Sequence, residues 1–476
     1  MFDLEKWLSR RGYVVADSDM RSRIRLWLAW YQGYVEDFHQ YHYYNGMQYL
    51  TAQKKSLSMA KFVCEDWANL LLNERVQISV DDAFKEQLDT LLRYQHWWKK
   101  ANQLVELAFA MGTGAFVEYR TADGSTEIDY YRADMIYPLA WNNKGVTECA
   151  FASVCTIDRK KAVYVMMHLL DGKRYVIENH WFDYDTGKEL PVPADMMQMV
   201  ETGSVIPLFQ LVTPNIVNAV DLDSPMGMSV FGYSLDVLAS LDDAYDSLDN
   251  EFKLGRKRIM LPMTMAKMQM MNEVDKSGKP VMRPVFDHND TVFYAYETGP
   301  DADSKPIELN MELRVDEHTN DLKANLALLG KKVGVGADRY TWDKSGGVKT
   351  ATEVVSDKSD LYQNMRKHEL VLEDAIISMV KALGFLGGVE LNEIKVNFDD
   401  SIIQDSQSEL DNAIAKKNNG LISAKTIMTD VFDMTEQDAD EELALIRSEQ
   451  TVQVPAVDPL HAGGDNPLDN DEDDDE

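Results

Sequence analysis

Apolar residues recur at helical three-and-four spacing through most of the first 112 residues, alternate between Gly114 and about 213, and return to helical spacing beyond 234. In the first stretch Ala60, Val63, Cys64, Trp67, Leu70 and Leu71 form one face of a helix that Ser56 is placed to cap. The alternation Val76-Gln-Ile78-Ser-Val80 predicts a short strand, and two helices are expected over 82–94 and 97–111, ending at Gly112-Thr-Gly114. In the second stretch GAFVEYR, TEIDYY, CAFASVC, KAVYVMMHL and RYVIENHWFDYD are β-rich and separated by turn signals such as Asp171-Gly172 and Thr186-Gly187. They predict an antiparallel meander.

The third stretch opens with a helix from Ser234 whose apolar residues are Leu238, Leu241, Tyr245, Leu248 and Phe252. Its other faces hold Asp236, Asp242, Asp243, Asp246, Asp249 and Glu251, and the bases Lys253, Arg256, Lys257 and Arg258 follow at its end. That polarity suits the helix dipole. Residues 259–312 form an insert in which Met260, Met263, Met265, Met268, Met270, Met271 and Met282 fall within 23 residues. Methionine adapts to irregular contacts, so either a malleable partner surface or a small Met-rich core fits. A helix over about 315–331 leads into a glycine-rich loop that displays Tyr340 and Trp342 and carries Arg339, Lys344 and Lys349. Thr350-x-x-Glu353 forms a capping box for a long helix to about Leu383, with a stripe of Leu361, Met365, His368, Leu372, Ile376, Met379 and Leu383. Gly384 and Gly387-Gly388 should stop it, before a strand over 393–398 and a small helical unit. The fold class expected is α+β, rich in helix.

Charge sharpens this picture. The formal net charge is −32, of which Asp465 to Glu476 supplies eight negatives, so the first 464 residues still carry −24. An acidic body disfavours a conventional nucleic-acid-binding domain but not a protein that DNA passes without adhering. Residues 331–350 run against the trend at +3. Cys64, Cys149 and Cys155 have no metal-site spacing and read as buried thiols of a reducing compartment. The start MFDLEKWLSRR lacks the pattern of a secretory signal, and no apolar run reaches the ~18 residues of a membrane span.

Chemistry is hard to find. Gly330 to Gly336 lacks the order of a phosphate-binding loop, and Gly227-Met-Ser229-Val-Phe lacks the second glycine of a nucleophile elbow. Asp221-Leu-Asp223-Ser-Pro225 departs from a calcium loop at its fifth and sixth positions. His39 and His42 sit among tyrosines and read as aromatic packing, while His368 reads as a core histidine. No catalytic residue, metal site or cofactor is expected.

Ser224-Pro-Met-Gly-Met-Ser-Val-Phe-Gly-Tyr-Ser and the Leu241-Asp-Asp-Ala-Tyr-Asp246 helix that follows resemble portal proteins of tailed bacteriophages, of the siphophage head–tail connector type. Gly346 to Glu353, Asn419-Gly-Leu-Ile-Ser423 and Ala60 to Val76 support the likeness. The resemblance implies a ring, dodecameric in that family, at one capsid vertex, through which DNA is packaged and ejected. It would divide this chain into a wing (1–233), stem helices (234–258 and 313–332), a clip (259–312), a tunnel loop (333–349), a long wing helix with its return strand (350–400), a helical crown (401–463) and a disordered acidic tail (464–476). It further implies docking of terminase and then a head-completion adaptor on the clip, around Met263, Met265, Met268, Met270 and Met271. Capsid and scaffold proteins and double-stranded DNA without sequence specificity complete the expected partners, with no membrane. Location in the virion after assembly in the host cytoplasm follows. Arg339, Tyr340, Trp342, Lys344 and Lys349 would meet the DNA, with Lys253, Arg256, Lys257 and Arg258 as a basic cluster at the stem end. The competing class is a non-viral acidic scaffold or adaptor.

Overall fold

The computed structural model describes residues 3–15, 18–44, 46–73, 76–121, 123–157, 159–193, 196–265, 268–274, 277–284, 293–296, 305–341, 351–391, 393–398, 415–417, 419–420, 422–430 and 442–444, without the side chains of 18, 264, 268–273, 282–284, 293, 351–359 and 430. The sequence expectations for Trp342, Lys344, Lys349, the Thr350 cap and the acidic tail lie outside these residues.

The N-terminal part runs α1 (Leu4–Arg10), α2 (Ser18–Tyr31), α3 (Glu36–His39), a hairpin of β1 (Gln40–Tyr44) and β2 (Tyr49–Gln53), α4 (Met59–Leu71), β3 (Gln77–Val80), α5 (Asp82–Tyr94) and α6 (Trp97–Met111). The β region follows as β4 (Gly114–Arg120), β5 (Thr126–Arg132), β6 (Ile136–Asn142), β7 (Gly145–Ile157), β8 (Lys160–Asp171), β9 (Arg174–Asp183), β10 (Glu189–Leu190), β11 (Met199–Glu201) and β12 (Phe209–Val212). Beyond it lie α7 (Leu235–Leu254), β13 (Arg258–Pro262), β14 (Met268–Val274), β15 (Pro280–Pro284), β16 (Phe293–Tyr296), β17 (Ile307–Leu309), α8 (Val315–Lys332), α9 (Ala351–Gly387) and β18 (Ile394–Asn397). Residues Asp400–Glu476 form a separate unit, whose described helix, Ala424–Asp430, starts after Ser423, the Oγ of which accepts from Thr426 N–H at 3.1 Å.

The expected meander is present: β6 to β10 pair in chain order, all antiparallel, and β11 adds to β9. Helix α1 lays Leu4 and Leu8 against Leu139, Ala150, Val165, Met167 and Phe182 of this sheet, and Arg11 secures it by an ion pair to Glu178 at 2.8 Å. A second sheet, β12-β4-β5, lies near α6 and α9, whose apolar stripes close the helical core. Every predicted stripe residue of α4 and α9 is buried, His368 included. Strand β3 pairs with β18, more than 300 residues away, so the chain ends this unit where it nearly began.

Four local expectations need correction. Ser56 does not cap α4; Ser58 precedes the helix with φ 54°, and Ser56 Oγ accepts from Ser58 N–H at 3.0 Å. The first part, expected to be helical apart from the strand at 76–80, also contains the β1–β2 hairpin. Gly384 does not end α9, which continues to Gly387; Gly388 takes φ +75° and Val389 N–H closes back on Gly384 O at 2.9 Å. Gly384 is small because Leu391 and Val389 of the returning chain pass over it. Cys155 is half-buried, unlike the fully buried Cys64 and Cys149.

Candidate functional site

The helix pair expected to act as a strut exists, and the physics of its ends shows how it is fixed. Helices α7 and α8 run antiparallel: Lys332 Nζ at the end of α8 meets Asp236 at the start of α7 at 2.9 Å, and Arg314 ahead of α8 grips Glu251 near the end of α7 at 2.8 Å. Val237, Leu238, Leu241 and Ala244 are buried on α7, and Leu322, Leu326 and Leu329 on α8. Helix α7 stops at Leu254 rather than 258, because Gly255 brings the chain against Leu313, where an added Cβ would come closer than 3 Å. Residues past it become β13, which pairs antiparallel with β17 entering α8, Arg258 opposite Leu309. The helix pair therefore passes directly into a small sheet, β16-β13-β17.

All six acids of α7 have partners within the chain. Asp236 pairs with Lys332, Asp243 with Lys54, Asp249 with Lys55 and Lys253, and Glu251 with Arg314. Asp246 accepts the backbone N–H of Lys55 at 3.1 Å. Asp242 is buried, accepting from Leu57 N–H at 2.6 Å and facing His39 Nε2 at 3.0 Å. The Arg314 guanidinium and its N–H hold Glu251 down to about 2, and Lys253 with Lys55 lowers Asp249. These acids brace the segment 39–57 and α8 against α7. His39 does pack among aromatic rings, though those of Trp30, Tyr34 and Phe38, and its hydrogen bond with Asp242 carried no sequence signal, since 203 residues separate them.

The expected basic cluster is largely occupied too. Lys253 is bound to Asp249 and Lys257 to Glu308, and Arg258 lies 5.8 Å from the Tyr294 ring centroid. Arg256 is exposed and has no ion pair among the described residues. In the insert Met265 is 55% exposed and Met263 half-buried; of Met268, Met270 and Met271 only the backbone is described, as part of β14.

The loop after α8 is clasped over its described part, and this too reverses an expectation. Its first glycine serves the helix end: Gly334 takes φ +86°, its N–H closes on Lys331 O, and Val335 N–H closes on Gly330 O of α8 at 3.0 Å. Trp67 Nε1 donates to Val333 O at 3.1 Å and Asn364 Nδ2 to Gly334 O at 3.0 Å. Arg339 makes a bidentate pair with Asp66, at 2.6 and 2.5 Å. Tyr340, read as exposed, is 8% exposed; its hydroxyl donates to Asp66 at 3.2 Å and its ring meets Phe62 edge-on. Sequence pattern shows aromatic content but not what it faces. Replacing Asp66 with alanine is expected to cost roughly 1.5–3 kcal/mol, the worth of hydrogen bonds to a charged group. It should also speed tryptic cleavage after Arg339, and unchanged cleavage kinetics would show that Asp66 does not hold the loop.

The turn 224–234 enters α7 across the end of α6. Gly112 (φ +88°) and Gly227 pack backbone to backbone, and a Cβ on either would come closer than 3 Å to the other's carbonyl oxygen. Thr113 Oγ1 accepts from Gly227 N–H at 2.9 Å, while Ser229 Oγ and Val230 N–H both donate to Phe109 O, a carbonyl the helix leaves unpaired at its C-terminus. The Pro-x-Gly-x-Ser spacing thus has a mechanical reason: glycine for the approach, serine for the exposed carbonyl.

A family model described as phage portal protein, SPP1 Gp6-like, matches residues 13–455. The chain belongs to this phage portal protein family. It is a structural protein of a bacteriophage virion, and the scaffold reading outside viruses falls away. No curated protein sequence matches the portal chain. Among solved structures it is similar to a chain of the virion of a native gene transfer agent particle, with 12% identity, a TM-score of 0.43 and coverage of 88% of this chain and 94% of that one. It is also similar to a chain from the neck of a native GTA particle with C12 symmetry, with 11% identity, a TM-score of 0.42 and coverage of 78% and 89%. Among the described residues of the portal chain, no group of three or more His, Cys, Asp or Glu side chains is placed to hold a metal ion. No described helix is long and apolar enough to cross a membrane.

Proposed function

We propose that copies of this chain close into a ring, of twelve by the family resemblance, at one capsid vertex, and that double-stranded DNA is packaged and later ejected through its channel. The observation that carries the reading is the braced antiparallel pair α7–α8, with a small sheet at one end and a clasped loop at the other, inside a chain matched by the portal family over 13–455. In this assignment α7 and α8 form the stem, 259–312 the clip, 333–349 the tunnel loop, 350–400 the long wing helix and its strand, and 401–463 the crown. The clip takes terminase first and a head-completion adaptor later, while capsid and scaffold proteins surround the wing. The chain is made in the host cytoplasm, acts without catalysis and binds no cofactor.

Repulsion of DNA then comes from the summed charge of −32 on each copy more than from α7, where Asp236, Asp243, Asp249 and Glu251 are paired with Lys or Arg. Arg339 and Tyr340 hold the root of the tunnel loop, leaving Trp342, Lys344 and Lys349 as the residues that meet the duplex. Each phosphate contact adds a salt slope of roughly −0.9.

Negative-stain imaging with size-exclusion chromatography should show closed rings with a central hole; monomers or dimers at every salt concentration would sink the reading. Substituting Trp342, Lys344 and Lys349 together with alanine should leave rings intact and lower DNA packaging or retention. Wild-type packaging by that variant would remove the loop from this role.

A further inference from the structure

The β1–β2 hairpin is the least explained part of the chain. No residue of either strand is buried: all of Gln40–Tyr44 is exposed, and Tyr49–Gln53 alternates between exposed and half-buried. Tyr41, Tyr43, Tyr44 and Tyr49 are 38%, 44%, 58% and 79% exposed. In register, Tyr41 faces Ala52 and Tyr43 faces Leu50, giving one apolar face, while Tyr44 and Tyr49 pair on the other with ring centroids 5.2 Å apart. A two-stranded hairpin is marginal in water without a surface to cover it.

Yet the base of this hairpin is held firmly. His39 and Leu57 flank it and share Asp242; Lys54 and Lys55 pair with Asp243 and Asp249; Lys55 N–H reaches Asp246. Four of the six α7 acids thus position a sheet none of whose own residues is buried. From Gln40 to Gln53 there is no Asp, Glu, Lys or Arg, in a chain of which 27% is charged.

We infer that this hairpin is a self-association surface, its tyrosine faces docking on a neighbouring copy of the chain. Charge selects that occupant. Two bodies each carrying −32 repel, and they approach at least cost where an element brings no charge of its own. The absence of Lys and Arg removes the attraction that a nucleic acid would need. Tyrosine-rich, charge-depleted surface is also what the centre of a protein interface uses. The four tyrosines with Met47 expose on the order of 500 Å², set against about 800 Å² per partner in an interface of standard size. In a ring the contact is heterologous, so the hairpin meets a different patch on the next copy and the chain of contacts can close. Because α7 carries the base, the hairpin would transmit the position of one stem helix to the adjacent subunit.

The inference rests on the ring reading, and the full-length chain can separate the two. Assembly is followed by native mass spectrometry and size-exclusion with light scattering, across protein concentration, for wild type, Tyr41→Ser/Tyr43→Ser/Tyr49→Ser and Thr51→Glu. The triple variant should need at least tenfold more protein for half-assembly, with the far-ultraviolet circular dichroism of wild type. Thr51→Glu keeps every tyrosine and should weaken assembly at 0.05 M salt and recover it at 0.5 M, because the added carboxylate is repelled by the acidic body of the next copy only while unscreened; a folding defect would not respond in that way. Rings of unchanged affinity in both variants would overturn the hairpin's role while leaving the ring reading intact. If the triple variant fails to fold, the salt response of Thr51→Glu decides. A wild type that never assembles would overturn both.

Discussion

Gly227→Ala is expected to destabilise the chain by roughly 3 kcal/mol or more, one of the largest effects a single methyl group can have. The added Cβ would come closer than 3 Å to Gly112 O and to the side chain of Thr213, and the carbonyl belongs to backbone that cannot rotate away. Relieving the clash requires moving the turn off α6, which also breaks the bonds of Gly227 N–H to Thr113 Oγ1 and of Ser229 Oγ to Phe109 O. Since this turn launches α7, the defect should appear as a lowered melting midpoint together with loss of assembled protein. Gly124→Ala is the control. Gly124 has φ +89° but nothing within 4 Å of an added Cβ, so only the backbone penalty of about 1–2 kcal/mol applies. Equal midpoints for the two variants would refute the close-approach explanation.

Stability should peak near pH 6.5 and fall on both sides, with Glu118 responsible for the alkaline limb. Glu118 is fully buried on β4 with neither carboxylate oxygen hydrogen-bonded, and burial pushes its pKa from 4.5 up to about 8. Between those values the unfolded chain has released a proton that the folded chain retains, so rising pH favours unfolding. His168 and His368 act in the opposite sense. Burial lowers both from 6.5 to about 3, so their contribution is complete above 6.5 and is lost as pH falls towards 3. Between pH 4.5 and 6.5 the two histidines outweigh the one carboxyl, and above 6.5 Glu118 acts alone. From pH 6.5 to 8 the loss should be about 2 kcal/mol, at 1.36 kcal/mol per unit. Glu118→Gln removes the titration and should flatten that limb. Denaturant midpoints measured at pH 6.5, 7.25 and 8 check this, and a parallel decline in the variant would assign the limb to other groups.

The helical stripes were readable because period and burial are one fact for a helix lying on a core. The predicted faces of α4 and α9 are buried residue for residue, and the limits of α5 and α6 agree with their apolar periods. The meander was readable for the same reason at period two. The β1–β2 hairpin was not, because neither of its faces is buried within the chain and Tyr, Gln and His alternate without an apolar rhythm. The site divides along the same line. The two strut helices and the loop between α8 and α9 stood out by spacing and glycine content. Apart from Asp249 with Lys253, the pairing of the α7 acids with charged groups, the clasp of Asp66 on Arg339 and the contact of Tyr340 with Asp66 join residues 63 to 274 positions apart.

By itself, the sequence determined most of the helices and the antiparallel meander, that its net charge is −32, and, through the Pro-x-Gly-x-Ser turn and its following helix, the family it resembles. These are local or summed properties, set by neighbours within one or two turns or by simple counting. Only the tertiary structure decided which charges are open. Six carboxylates on one helix read as bare charge until Lys54, Lys55, Lys332, Arg314 and His39 arrive from other elements to meet five of them, with Lys253 of α7 itself beside Asp249 and the Lys55 backbone N–H closing on Asp246. An ion pair is a relation between positions in space, and the strength of a charge depends on what lies within about 4 Å of it. No spacing along the chain contains that distance, so the acidic helix of the sequence became, once folded, the beam to which its neighbours are tied.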